Sequence, residues 1–135
     1  MKIELFSSSF ILYDNVVTMV PKTLLEEEKI ERTIRAVTND SFTVLDFMAA
    51  FKRKYPVDWD KLVERFGQFG SKRRYTVTTY FSNRLDVYSQ KPNSLLEPFT
   101  RYKQAKFKDY RRTTLEEREV FGSLWIAVFR KKKRN

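Results

Sequence analysis

Residues 58–91 read DWDKLVERFGQFGSKRRYTVTTYFSNRLDVYSQK, and the residue pattern of this segment predicts the central helices of the chain. Its first part has apolar residues at the i, i+3, i+4 and i+7 positions of a short helix, namely Trp59, Leu62, Val63 and Phe66. Its last part has apolar residues spaced four, four and three apart, namely Val77, Phe81, Leu85 and Tyr88. The spacing predicts two amphipathic helices, and a basic step, Lys72-Arg73-Arg74, joins them.

The polar side of the predicted helix 76–90 carries short hydrogen-bonding side chains. They are Thr78, Thr79, Ser82, Asn83 and Asp86. Groups of this size can reach base edges in the major groove of DNA, and the preceding cations can hold phosphates. The stretch therefore predicts a helix-turn-helix that faces duplex DNA.

Two other interpretations of the same residues stay open. Residues 75–81 alternate and are rich in β-branched and aromatic residues, which also favours a strand, with only residues 83–91 helical. A polar helix face is also what any solvated helix shows.

Composition limits the classes of protein that fit. A chain of 135 residues with 41% apolar and 16% aromatic residues is expected to form one folded domain. There is no cysteine and no histidine, which removes disulfides, thiolate chemistry and the commonest general base and transition-metal ligand. We therefore expect no catalytic site, no cofactor and no metal.

The positive charge is concentrated in the second half of the chain. Residues 1–70 carry 10 Lys/Arg and 11 Asp/Glu, whereas residues 71–135 carry 17 and 6. A one-sided excess of this kind attracts a polyanion. No stretch reaches the roughly 18–20 apolar residues of a membrane span, and the N-terminus does not resemble a signal peptide. We expect a cytoplasmic, nucleoid-associated protein, or a nuclear one in a nucleated host.

The first half of the chain contains three further predicted elements. Residues 1–22 form a short β-rich extension that ends at Pro21. The capping box Thr23–Glu26 opens a helix, and a second helix begins after Ser41 or Thr43 and ends at Pro56. Asp58 is expected to cap the third helix.

The C-terminal part combines basic residues with strand-like segments. Residues 95–112 fit either a helix or basic strands. Thr114–Glu117 is a second capping box, whose helix should end at Gly122. Residues 124–129, LWIAVF, predict an interior strand that leads into five cations at 130–134.

This order resembles the winged helix-turn-helix superfamily over residues 23–133. The segments that carry the resemblance are TLLEEEKIERTIRAV, SFTVLDFMAAFKRKYP, YTVTTYFSNRLDVYSQK and LWIAVFRKK. It implies an α+β domain at 23–135, with three to four helices followed by a small antiparallel β wing. The chain departs from the pattern in its extra helix at 58–67 and in lacking an obvious glycine turn in the wing.

The resemblance also implies roles for particular residues. Thr76, Thr78, Thr79, Ser82 and Asn83 would face bases, and Asn83 could bind an adenine with two hydrogen bonds. Phosphates would be held by Lys72, Arg73, Arg74 and Arg84, and the wing or flank contacts would be Arg111, Arg112, Arg130 and Lys131. With about six to ten phosphate contacts, affinity should fall by about 10³–10⁵ between about 50 and 200 mM salt.

The function implied is a non-catalytic duplex DNA-binding protein, either a transcriptional regulator or an accessory factor. Such readers commonly bind paired half-sites, which a homodimer would match. Two alternatives remain: a protein–protein docking module, and an RNA or single-strand binding subunit that uses the same basic and aromatic surface.

Overall fold

A computed structural model of the chain describes residues 25–68, 75–100 and 108–133. In chain order the elements are α1 (Glu27–Ala36), β1 (Ser41–Thr43), α2 (Val44–Lys54), α3 (Pro56–Phe66), α4 (Val77–Ser89), β2 (Tyr110–Arg112), α5 (Leu115–Phe121) and β3 (Trp125–Arg130). The predicted α+β class is confirmed. The predicted N-terminal extension, 1–22, and the capping residue Thr23 lie outside the described residues.

The chain divides into two compact units, Met1–Ile30 and Glu31–Asn135. Of the first unit, residues 25–30 are described; residues 27–30 form the start of α1, which has two glutamates in its first turn. The second unit holds all the remaining elements, and the following paragraphs concern it alone.

Helix α4 confirms the helical interpretation of residues 77–89 over the strand alternative. The four apolar positions that predicted this helix are all buried, with Val77, Phe81 and Leu85 fully removed from solvent. At its start the backbone N–H of Thr76 donates to Thr79 Oγ1 at 3.3 Å. The β-branched residues that favour a strand locally are overridden because the helical spacing buries a continuous apolar face.

Three antiparallel strands form a sheet in the order β1–β3–β2. Phe42 lies opposite Phe129 on one side of β3, and Arg111 lies opposite Ile126 on the other. The prediction that residues 124–129 form an interior strand is confirmed, since β3 pairs along both edges. Within β3 the buried residues are Ile126 and Phe129, and because they are three positions apart they lie on opposite faces of the strand.

Two predicted helix caps are confirmed. Thr43 caps α2 and exchanges hydrogen bonds with Asp46, and Thr114 caps α5 and does the same with Glu117. Helix α5 ends at Gly122, whose φ of 79° is left-handed and therefore suits glycine.

Two predicted boundaries are corrected. Helix α3 begins at Pro56 rather than after Asp58, because proline at the first helical position has no N–H to leave unpaired. Ser41–Thr43 forms the edge strand β1, and its last residue, Thr43, also caps α2. Three residues are too few to show the alternation of apolar and polar residues that predicts a strand.

The core of the helical part is a cluster of rings centred on Phe81. This ring lies 4.9 Å from Phe51, 5.3 Å from Phe47 and 6.4 Å from Trp59, measured between centroids. Helices α2, α3 and α4 therefore meet at one side chain.

We predict that Phe81→Ala lowers the free energy of unfolding by about 3–5 kcal/mol, because a buried aromatic ring leaves a cavity when it is truncated. Denaturant unfolding of the full chain measures this. The matched control is Val87→Ala on the same helix, where the side chain is 61% exposed and the change should stay within about 0.5 kcal/mol. Equal losses in both variants would contradict the packing described.

Candidate nucleic-acid interface

The side of α4 that faces away from the core carries a row of short polar residues. Its members, partly exposed and called the α4 stripe below, are Thr79, Ser82, Asn83 and Asp86. They recur at i, i+3, i+4 and i+7, so they lie along one helix face opposite Phe81. This geometry gives side chains that donate and accept hydrogen bonds in a single line.

Thr76 and Thr78 do not belong to this face, which corrects their predicted placement. Both are buried. Thr76 is the capping residue immediately before α4. Thr78 lines a cleft of about 430 Å³ together with Leu45, Met48 and Trp59. A helix turns 100° per residue, so Thr78 falls on the border of the apolar face although its neighbour Thr79 does not.

A group of aromatic rings lies beside the beginning of α4. Phe66, at the end of α3, is 5.4 Å from Tyr75 and 5.0 Å from Tyr80 between ring centroids. Tyr75 is 42% exposed, whereas Tyr80 is buried. We call these three residues the Tyr75 cluster.

The Tyr75 cluster is tied to α4 by side-chain hydrogen bonds. Asn83 Nδ2 donates to the hydroxyl of Tyr75 at 3.3 Å, and Arg84 Nη1 donates to the hydroxyl of Tyr80 at 3.4 Å. Burial raises the pKa of Tyr80 above its usual value, and Arg84 opposes this shift. Asn83 therefore shares its surface with an exposed ring.

The sequence prediction missed Tyr75 and Phe66 as members of this surface. Phe66 was predicted as part of the apolar face of its helix and Tyr75 as a core residue or a dimer contact, and their proximity depends on how α3 and α4 pack. One signal was present, since the two rings flank a glycine- and cation-rich connection.

Lys72, Arg73 and Arg74 lie outside the described residues. The ends of the segment that contains them are held together, because the N–H of Val77 donates to the carbonyl of Gly67 at 2.8 Å. Their predicted role at phosphates stays a prediction.

Three of the four cations predicted for the wing are engaged within the fold. Arg111 binds Glu117 with two hydrogen bonds of 2.8 and 2.7 Å, and Arg130 binds Asp109 at 2.8 Å. Lys131 donates to the carbonyl of Val37. The fourth cation, Arg112, stacks on the ring of Trp125 at 5.5 Å.

The segment between β2 and β3, where a wing was expected, contains α5. The Arg111–Glu117 pair fixes this helix to β2. The hydrogen bonds from Arg111, followed by that from the Thr114 backbone, lower the pKa of Glu117 from 4.5 to about 2. The same pair raises the pKa of Arg111.

A basic groove of about 1200 Å³ lies at the end of β3. Its cations are Arg35, Arg130, Lys131, Lys132 and Lys133, and its carboxylates are Asp40 and Glu97. Lys132 donates to the carbonyl of Pro92 at 3.1 Å, so part of this charge also supports the fold.

Within residues 25–68, 75–100 and 108–133, no cluster of three or more acidic, histidine or cysteine side chains could hold a metal ion. The helices in those ranges include none long and apolar enough to cross a membrane. Comparisons of the chain with protein-family models, with curated proteins and with solved structures find no match.

We predict that acid weakens the attachment of α5. Because the pKa of Glu117 is lowered in the folded state, its stabilising effect is present above about pH 4.5 and is lost as the pH falls toward about 2. Glu117→Gln should lower the free energy of unfolding near neutral pH by about 1 kcal/mol or less, since the pair is partly exposed. This deficit should shrink below about pH 4.5.

Denaturant unfolding at a series of pH values measures the effect. Glu116→Gln, which removes an exposed charge from the same turn, is the matched control. A Glu117→Gln deficit that stays constant from neutral pH to the acid end would contradict the role given to the pair.

Proposed function

We propose that this chain is a non-catalytic protein that binds duplex DNA, with α4 lying along the major groove. The α4 stripe is the observation that carries the proposal. Thr79, Ser82 and Asn83 present hydroxyl and amide groups, which are short enough to reach base edges. Asp86 adds an acceptor that suits the amino group of cytosine.

The arrangement of the second unit supports this proposal. The antiparallel order β1–β3–β2, with α4 the last helix before β2 among the described residues, is compatible with a winged-helix layout. The burial of Phe81 and Leu85 holds α4 with its polar face outward. A helix fixed to its own core in this way could enter a groove as a rigid body.

In this proposal, the affinity comes from attraction between the basic half of the chain and the DNA phosphates. Residues 71–135 carry 17 Lys/Arg against 6 Asp/Glu, so the half of the chain that contains α4 attracts the DNA backbone. The internal pairing of Arg111, Arg130 and Lys131 lowers the number of phosphate contacts expected. About four to six contacts remain, for which affinity should fall by about 10²–10³ between about 50 and 200 mM salt.

A regulator or an accessory factor of a larger DNA-processing assembly would use such a surface, and a homodimer would place two copies of α4 on paired half-sites.

Two alternative functions can be distinguished by binding experiments. A preference for RNA or single strands over duplex DNA would replace this proposal by the single-strand alternative. The exposed side chains of Leu115, Val120 and Leu124 around α5 favour protein docking as the second candidate. Docking alone predicts no salt-sensitive binding to nucleic acid.

We predict that Asn83→Ala removes sequence preference. A preferred duplex is first selected from a random pool, and binding to it and to a scrambled duplex is then followed by fluorescence anisotropy. The variant should bind the selected duplex about 5- to 150-fold more weakly, because one well-placed base contact contributes about 1–3 kcal/mol. Binding to the scrambled duplex should change little, since phosphate contacts dominate it.

Asn39→Ala, an exposed asparagine between α1 and β1, is the matched control and should behave as the wild-type chain. Retention of the preference by Asn83→Ala would remove α4 from the reading role. Absence of any salt-dependent duplex binding by the wild-type chain would refute the proposal as a whole.

A further inference from the structure

Tyr75 combines exposure with a rigid support. The residue is 42% exposed, yet its ring packs at 5.4 Å and 52° against Phe66. Phe66 in turn stacks on the buried ring of Tyr80 at 5.0 Å and 21°. Tyr75 is therefore exposed to solvent while it is supported by two further rings.

Two arginine side chains lie beside the rings of the Tyr75 cluster. The guanidinium of Arg65 lies 5.6 Å from the centroid of Phe66, and that of Arg84 lies 6.0 Å from the centroid of Tyr80. Aromatic rings interleaved with arginine are typical of surfaces that bind single-stranded nucleic acid, because every base has a face that can stack and a phosphate beside it.

Asn83 joins the Tyr75 cluster to the α4 stripe. One of its two amide protons is donated to the hydroxyl of Tyr75. An asparagine amide also has a second proton and a carbonyl oxygen, which form the donor–acceptor pair that a base edge requires. A base stacked on Tyr75 would thus have a hydrogen-bonding partner at its side.

We propose that Tyr75 is a stacking platform for an unpaired base of DNA, at the point where a single strand leaves the duplex held by α4. The inference rests on the proposed function and names its substrate more closely: a duplex with an adjoining single-stranded tail. Bases inside a duplex are already stacked on their neighbours, so only an unpaired base offers a free face to the ring. Tyr75 lies just before α4, and the beginning of a reading helix is the end directed at the bases.

The test compares a blunt duplex with the same duplex carrying a short single-stranded tail. Both are bound to the full chain and followed by fluorescence anisotropy at one salt concentration. A fluorescent adenine analogue in the tail gives a second readout, because stacking on an aromatic ring quenches its emission. The wild-type chain should bind the tailed duplex about 5- to 150-fold more tightly than the blunt one, as expected for one stacked base.

Three variants test whether the aromatic ring of Tyr75 itself is responsible for the tail preference and the quenching. Tyr75→Phe keeps the ring and loses the hydroxyl contact with Asn83, so it should retain the tail preference and the quenching. Tyr75→Leu keeps apolar packing on Phe66 and should lose both. Leu115→Ala removes an exposed apolar side chain from α5, 74% exposed, and should leave both unchanged. Thermal unfolding of each variant confirms that the fold is retained.

The outcomes distinguish this inference from the proposed function. If the blunt duplex binds in a salt-dependent manner and the tail adds nothing, the stacking platform is refuted and duplex binding stands. Retention of the tail preference by Tyr75→Leu refutes the platform as well. If the single strand binds equally well without the duplex, the duplex proposal fails, and the tailed duplex is refuted as the substrate with it. Binding to neither refutes both.

Discussion

The packing of Phe81 against rings from α2 and α3 is the contact on which the rest of the structure depends. Its distances to Phe47, Phe51 and Trp59 bring three helices to a common centre. Because Phe81 comes from the buried face of α4, the same contact sets which residues of α4 face outward. The buried face and the candidate interface are therefore opposite faces of α4, so a rotation of α4 about its axis would displace both.

The sheet and α5 use part of the positive charge for structure. Arg111 attaches α5 to β2, and Arg130 reaches the buried carboxylate of Asp109, which also accepts from the backbone of Thr100 at 2.8 Å. A cation held by a carboxylate contributes less to the field that attracts a polyanion. The formal charge of +10 is unchanged by this pairing, because it already counts the carboxylates, but the paired guanidiniums contribute less as separate phosphate contacts.

Local patterns predicted the elements whose signals lie within one turn or one helix face. The apolar spacing of α4, the capping pairs Thr43–Asp46 and Thr114–Glu117, and the continuous apolar run of β3 are such signals. The edge strand β1 was missed because its pairing partner lies almost ninety residues away along the chain. A three-residue strand has no periodicity of its own, so only the partner reveals it.

The sequence alone predicted the class of fold, the helices with their caps and the uneven charge, because each follows from residues near one another in the chain. It also determined most of the α4 stripe, through helical periodicity. Three features could be read only from the packed structure: Thr78 is buried, Arg111, Arg130 and Lys131 bind groups within the fold, and Tyr75 lies exposed beside Asn83. Those facts depend on contacts between separate elements, and sequence spacing does not specify which side chain from one element meets which from another.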